Sequence, residues 1–270
     1  MAERQDNWSA TEYNNTASFV YSDKFTRPVL DLLQPAKSQR ILDLGCGSGE
    51  LTKALMDVVG PEGYVLGLDS SRNMIDKAIS NGVVDVRVMD VQKIAWEYGS
   101  STGLVEHSFD AVFTNAALHW CKESPTDVVK NAWSALKPQG RFVGEMGGFT
   151  NLCGLRLSLH RVLRRRGHDP RVRDPWYFPS DTAYKGMLES VGFNVETIGL
   201  YPRLTPVPNG LKAWLDLFVR RSMLSDLSDA EADEILDEVV KECEVDMRDE
   251  EGNWHIMYVR LRWKATKPAA

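Results

Sequence analysis

Three acids, three glycines and one histidine stand at the ends of apolar runs in this chain. Asp43 lies two residues before Gly45 in the stretch Ile41-Leu42-Asp43-Leu44-Gly45-Cys46-Gly47-Ser48-Gly49-Glu50. Gly45, Gly47 and Gly49 let a backbone turn sharply and approach a ligand closely. The helix expected after them turns its unpaired N–H groups toward that ligand. The pattern is a nucleotide-type site, but the third glycine of a G-x-G-x-x-G dinucleotide fingerprint is replaced by Glu50. A carboxylate at Asp43 repels a pyrophosphate and suits an ammonium group. Asp69 follows Gly45 by 24 residues and closes the apolar run Tyr64-Val65-Leu66-Gly67-Leu68. That is about where an acid takes both vicinal hydroxyls of a ribose. The competing reading is that Asp69 caps the next helix, a task Ser70 or Ser71 could equally perform. Met74, in the first turns of that helix, either covers a flat ring or belongs to the core. Asp90-Val91 closes a third run, and Asn115-Ala116-Ala117-Leu118-His119-Trp120 follows a fourth.

An ammonium, a carboxylate, a ribose and a sulfonium are joined in S-adenosylmethionine. With Asp43, the glycine run and Asp69, the chain resembles the class I S-adenosylmethionine-dependent methyltransferases. The resemblance implies that Gly45, Cys46, Gly47, Gly49, Asp69, Ser70 and Met74 line the cofactor. It implies that Asp90 accepts from the adenine amine while the N–H of Val91 donates to the ring, and that Asn115 and Ala116 face the methyl group. Tyr13 and Tyr21, in an aromatic N-terminal stretch, would close over the same mouth; the alternative is a helix packed on the sheet edge. S-adenosylhomocysteine would be the product.

The hexapeptide from Asn115 narrows the family. Enzymes that methylate an adenine amine carry N-P-P-Y or D-P-P-Y there, and this chain does not. It resembles instead the trans-aconitate methyltransferase-like family and its carboxyl-methylating relatives, which have Gln or His followed by Trp. The likeness extends through Trp8 and Tyr13, Gly147-Gly148-x-x-Asn151, Pro175-Trp176-Tyr177-Phe178-Pro179-Ser180, Tyr184, Gly192-Phe193, and Trp254 with Tyr258-Val259-Arg260-Leu261-Arg262. The departure is His119, where the aconitate enzymes tend to have Gln. The resemblance implies methyl transfer to a small molecule, with a carboxylate first. His119 and Trp120, the candidate catalytic pair, would then hold the acceptor by donating N–H groups. A hydroxyl, phenol or amine acceptor would instead need His119 as a base. A third reading is a cofactor-binding partner subunit without activity of its own.

Composition bounds these readings. The 270 residues are 43% hydrophobic and 26% charged, ordinary for a globular chain with one large core. A net charge of −6 argues against binding a nucleic-acid backbone. Cys46, Cys121, Cys153 and Cys243 form no C-x-x-C pair, so neither a metal site nor a disulfide framework is expected, and a reducing, cytoplasmic setting fits. No apolar run approaches the ~20 residues of a membrane span. The polar N-terminus is unlike a signal peptide.

Periodicity then supplies the elements. A doubly wound, mostly parallel α/β sheet of seven strands is expected, as a single domain over 1–270. Residues 40–146 form its cofactor-binding core, and 1–39, 147–180 and 206–250 a cover over the acceptor. Strands are expected at Arg40–Leu44, 64–69, 84–90, 109–114, 141–146 and 193–200. The last, Ile256–Trp263, is expected antiparallel. A helix is expected over 149–166, with Arg161, Arg164, Arg165 and Arg166 on its outer side. Those arginines read as a solvated face or as a rim that steers anions. The acidic stretch 229–250 reads as solvent-facing.

Overall fold

The computed structural model describes residues 22–97 and 103–269. Tyr13 and Tyr21, and with them most of the expected N-terminal cover, lie outside the described residues. The elements run α1 (Asp23–Leu33), β1 (Arg40–Leu44), α2 (Glu50–Val59), β2 (Tyr64–Asp69), α3 (Arg72–Ser80), β3 (Val86–Val88) and β4 (Phe109–Asn115). A 3₁₀ turn (Leu118–Trp120) leads to α4 (Pro125–Ala135), β5 (Leu136–Gly147), α5 (Leu155–Arg165), α6 (Pro170–Arg173) and α7 (Asp181–Val191). Then come β6 (Asn194–Pro206), α8 (Gly210–Leu215), a π-helical turn (Asp216–Arg220), α9 (Asp229–Met247) and β7 (His255–Thr266).

The sheet order is β3-β2-β1-β4-β5-β7-β6. β1 pairs in parallel with both β2 and β4, and β7 is antiparallel to β5 and to β6. The chain thus leaves β1 toward β2 and β3, then returns to β4 on its other side. The strand order reverses between β1 and β4, which is where an open α/β sheet leaves a crevice at its carboxyl ends.

Alternation along the strands divides two cores. Ile41, Val65, Ala111, Phe113 and Val143 face α1 and α2, through Val29, Leu33, Leu55 and Val59. Leu42, Leu66, Val112, Phe142 and Trp263 face α4 and α7, through Val128, Ala132, Tyr184 and Leu188. Strands buried on both faces explain the near-continuous apolar runs of β1 and β2.

A third core lies outside the sheet. Leu155, Leu159 and Val162 of α5 meet Leu211 and Trp214 of α8, Ile235, Leu236 and Val239 of α9, and Ile256 and Tyr258 of β7. Two expectations are corrected here. The helix after β5 begins at Leu155 rather than at 149, because Thr150, Leu152 and Gly154 hold φ of 65°, 58° and 82°, outside the right-handed helical region. The acidic helix α9 is not simply solvent-facing. Its inner side is buried, and its acids pair with arginines at the C-terminal end of α5. Arg165 binds Glu238 and Glu242, and Arg166 binds Glu234 and Glu238. Arg165 and Arg166 therefore face carboxylates of the same chain, and such exposed pairs contribute at most about 1 kcal/mol each. The apolar seam beneath supplies most of the packing energy.

Among the described residues, no helix is long and apolar enough to cross a membrane, and no group of three or more His, Cys, Asp or Glu side chains could hold a metal ion.

Trp263 shows how tightly the sheet is filled. It is fully buried, with ring centroids 5.3 Å from Phe142 and 4.8 Å from Tyr184, and a Cβ on Gly144 would come within 2.4 Å of its indole. Trp263→Ala should lower stability by about 3–5 kcal/mol, measured as a shift of the urea midpoint with an unchanged slope. A shift worth under 1 kcal/mol would contradict this packing.

Candidate functional site

The crevice begins at the glycine turn. Gly45, Gly47 and Gly49 take φ of 75°, 55° and 85°, a region that side chains with a Cβ seldom enter. A Cβ on Gly45 would lie 2.2 Å from the Cβ of Ala117, so the loops after β1 and β4 touch backbone to side-chain stub. The N–H groups of Gly45 and Cys46 both donate to the Leu68 carbonyl, at 2.8 and 2.9 Å, tying the turn to β2. Asn81 donates to the Ser48 carbonyl at 2.8 Å, and the Ser48 hydroxyl donates to Glu50 at 2.7 Å. The turn is therefore fixed from three sides.

Two acids flank it. Asp43 is buried and accepts from the Thr52 hydroxyl at 2.7 Å. Burial pushes its carboxyl up to about 7; the Thr52 bond opposes this and the nearby charge of Asp69 adds to it. Asp69 takes the Gly47 N–H on one oxygen at 3.0 Å and the Ser71 N–H on the other at 2.9 Å. The helix cap is Ser71, whose hydroxyl accepts from Met74 N–H at 3.1 Å. Ser70 is exposed on the rim, and Met74 and Val91 are buried. Asp90 forms a turn with Gln92, accepting from its N–H at 2.9 Å and its amide at 3.1 Å, and Gln92 in turn accepts from Ser124 N–H. Asn115 ends β4; Ala116, at φ 56°, donates its N–H to the Glu145 carbonyl at 2.7 Å. A carboxyl able to ionise beside an ammonium, a second acid for vicinal hydroxyls and a backbone floor together fit S-adenosylmethionine.

A second cleft opens on the far side of Ala116. It measures about 430 Å³ with its mouth and reaches His119, Trp120, Asn151, Trp214 and Arg260. His119 is buried in the 3₁₀ turn, and its Nδ1 accepts from the Gly147 N–H at 3.3 Å. Burial, helped by the charge of Arg260, lowers its pKa to about 3. A neutral imidazole that accepts at Nδ1 carries its proton on Nε2, so the ring presents a donor. Asn151 accepts from Val259 N–H at 2.9 Å through its carbonyl oxygen, which leaves its amide nitrogen as the remaining donor end.

Arg260 is only 5% exposed, yet its Nε has no hydrogen-bond partner. Its carboxylate neighbour, Glu145, lies 3.8 Å away. Glu145 is bound closely by Arg262, at 2.8 and 2.6 Å, and is 3.8 Å from Arg203 as well. Three guanidinium groups therefore share one buried carboxylate among the described residues.

The wall opposite is held by Asp174. It accepts from Arg156 at 2.6 Å, from Trp176 N–H at 3.0 Å, and bonds His160 at 2.8 Å. Tyr177 N–H donates to the His119 carbonyl at 2.8 Å, joining this segment to the 3₁₀ turn.

The structure thus brings Asp43, the glycines, Asp69, Asn115 and Ala116 around one crevice, and His119 and Trp120 into the adjoining cleft. Arg260, Asn151, Trp176, Phe178, Trp214 and Tyr258 also line the cleft and had no role assigned from sequence. Arg260 gave no distinct signal, because it shares its face of β7 with Arg262 and Lys264, opposite the apolar Val259, Leu261, Trp263 and Ala265. The four aromatics read as ordinary core residues, and Asn151 as a loop residue, until the chain is folded.

Comparison with known proteins bears on the family and the fold. Residues 42–144 match the family described as methyltransferase domain. Over 97% of this chain and 99% of its own length, an uncharacterized methyltransferase of Schizosaccharomyces pombe is 33% identical. A trans-aconitate 2-methyltransferase of Deinococcus radiodurans is 26% identical over 97% of this chain and 98% of its own. In fold, the chain is similar to the crystal structure of a putative methyltransferase from Bacillus halodurans, with a TM-score of 0.61 and 17% identity, over 90% of this chain and all of that one.

The two perturbed groups give opposite pH slopes. Below about pH 6.5 the unfolded chain binds a proton that folded His119 refuses until about pH 3. Stability relative to His119→Gln should therefore fall as pH falls, by up to about 1.4 kcal/mol per unit. Folded Asp43 keeps to about pH 7 a proton that the unfolded chain releases near 3.8. Stability relative to Asp43→Asn should fall as pH rises through that window. Denaturant titrations from pH 4 to 8 measure both slopes, and equal slopes for wild type and variant would contradict the burial argument.

Proposed function

The chain belongs to the S-adenosylmethionine-dependent methyltransferases, and from that premise we propose that it methylates the carboxylate of a small organic acid. The observation that carries this reading is Arg260, a buried guanidinium that lines the cleft beside His119 and shares its carboxylate neighbour, Glu145, with Arg203 and Arg262. A buried cation whose carboxylate is shared among three guanidinium groups is costly, and an anionic ligand lowers that cost. The relative from Deinococcus radiodurans, named for methylation of trans-aconitate, supports a carboxylic acceptor.

S-adenosylmethionine, when bound, supplies an electrophilic methyl group on a sulfonium. The residues of this chain hold and orient the two reactants. Asp43 meets the ammonium and Asp69 the ribose hydroxyls. Arg260, the Nε2–H of His119 and the amide of Asn151 donate to the acceptor carboxylate. The acceptor oxygen provides the electron pair of the new O–C bond, the pair of the broken C–S bond stays on sulfur, and no proton moves. Carboxylates are already ionised at neutral pH, so no base is required. That agrees with His119, since a group whose pKa is held near 3 is a poor acceptor for a hydroxyl proton. Positioning of this kind accounts for roughly 7–11 kcal/mol of a barrier.

Three variants test the assignment. Asp69→Ala should weaken S-adenosylmethionine binding by about 1.5–3 kcal/mol in calorimetry, through loss of charge-assisted bonds; undiminished affinity would remove Asp69 from the site. His119→Gln keeps a donor and should retain most methyl transfer, with no ascending limb near pH 6.5 in the wild-type profile. Arg260→Ala should raise KM for the acid at least tenfold while cofactor affinity stays level. A His119→Gln enzyme slowed by about 10²–10⁴ with normal cofactor affinity would establish the histidine as a base and a hydroxyl, phenol or amine as the acceptor.

A further inference from the structure

Six aromatic side chains share the acceptor cleft with Arg260: Trp120, Trp176, Phe178, Trp214, Phe218 and Tyr258. They form one continuous wall. Trp176 stacks on Phe178 with centroids 5.8 Å apart and planes at 13°, meets Trp120 edge-on at 6.0 Å, and lies 6.5 Å from Trp214. Trp214 lies 4.7 Å from Phe218. The polar ends of two of them face each other, since the Trp214 indole N–H donates to the Tyr258 hydroxyl at 2.7 Å. These two rings and Trp176 are buried, and the half-buried rings of Trp120, Phe178 and Phe218 supply the apolar surface of the cleft. Among the described residues lining the cleft, Arg260 is the only Lys or Arg.

We propose that the acceptor is a monocarboxylate with a flat, apolar body, of the arylalkenoic type, and not a polycarboxylate. This rests on the carboxylate reading above. One cation and two neutral donors satisfy one carboxylate. A second carboxylate in the same cleft would be desolvated against indole and phenyl faces with no second cation among the described lining residues to meet it. Offset and edge-on packing against several rings favours a planar body. Aromatic walls also attract cations, but the guanidinium of Arg260 in the same cavity repels a cationic acceptor.

The test compares cinnamate with tricarballylate, both as methyl acceptors with radiolabelled cofactor and as ligands of the S-adenosylhomocysteine-loaded protein in calorimetry. A phenol and an amine of similar size complete the panel. Cinnamate should bind at least tenfold more tightly than tricarballylate and be methylated with at least tenfold higher kcat/KM. Phe218→Ala, at the half-buried end of the wall, should weaken cinnamate binding several-fold, and Phe218→Leu less. Tighter binding or faster methylation of tricarballylate overturns this inference and leaves the carboxylate reading intact. Methylation of the phenol or the amine, with neither acid bound, overturns both. Cinnamate binding that is unchanged in Phe218→Ala, or absent from the loaded wild-type protein, also overturns the inference.

Discussion

The carboxyl ends of β1 and β4 meet at Gly45 and Ala117 with no room for another methyl group between them. That contact fixes the distance between the two halves of the site. On one side stand Asp43 and Asp69, in strands that leave β1 in one direction. On the other, Ala116 turns through a positive φ and passes into the 3₁₀ turn that carries His119 and Trp120. Crevice and cleft share that single turn, so a group held in one lies beside a group held in the other. For a displacement between two bound reactants, such closeness is the main thing a protein can contribute.

The charge distribution follows the same division. The crevice holds acids, one of them buried enough to be neutralised near pH 7. Beside the cleft, guanidinium outnumbers carboxylate around Glu145, and Arg260 of that group lines the cleft together with a histidine kept neutral by burial and by the charge of Arg260. A cationic donor and an anionic acceptor would each find the complementary field. The low dielectric of the aromatic wall strengthens both interactions and keeps water away from them.

The cover is built differently from the sheet. Its helices are amphipathic pieces around their own core, fastened outside by arginine–glutamate pairs and inside by Asp174. The surface pairs set register more than energy. Asp174 has a different role, because it is itself buried and holds Trp176, Arg156 and His160 in one arrangement. The aromatic wall is therefore fixed by a polar anchor, not by apolar contact alone.

The sequence by itself determined the parts whose cause is local. Glycines at a turn, acids at strand ends, a serine cap at Ser70 or Ser71 and continuous apolar strands are all written in neighbouring residues, and they sufficed for the sheet and for the glycine turn after β1. Element boundaries slipped where backbone outside the helical region intervened, as at Thr150 to Gly154. The acceptor cleft was decided by tertiary structure alone. His119 is identifiable in sequence, but its tautomer depends on the Gly147 N–H, 28 residues away, and its pKa on Arg260, 141 residues away. The arginines of α5 resemble a steering rim until α9 brings its glutamates to them. Whether a charge is paired, and whether an aromatic ring faces core or ligand, depends on neighbours distant in the chain, and such pairings leave no periodic trace in any one segment.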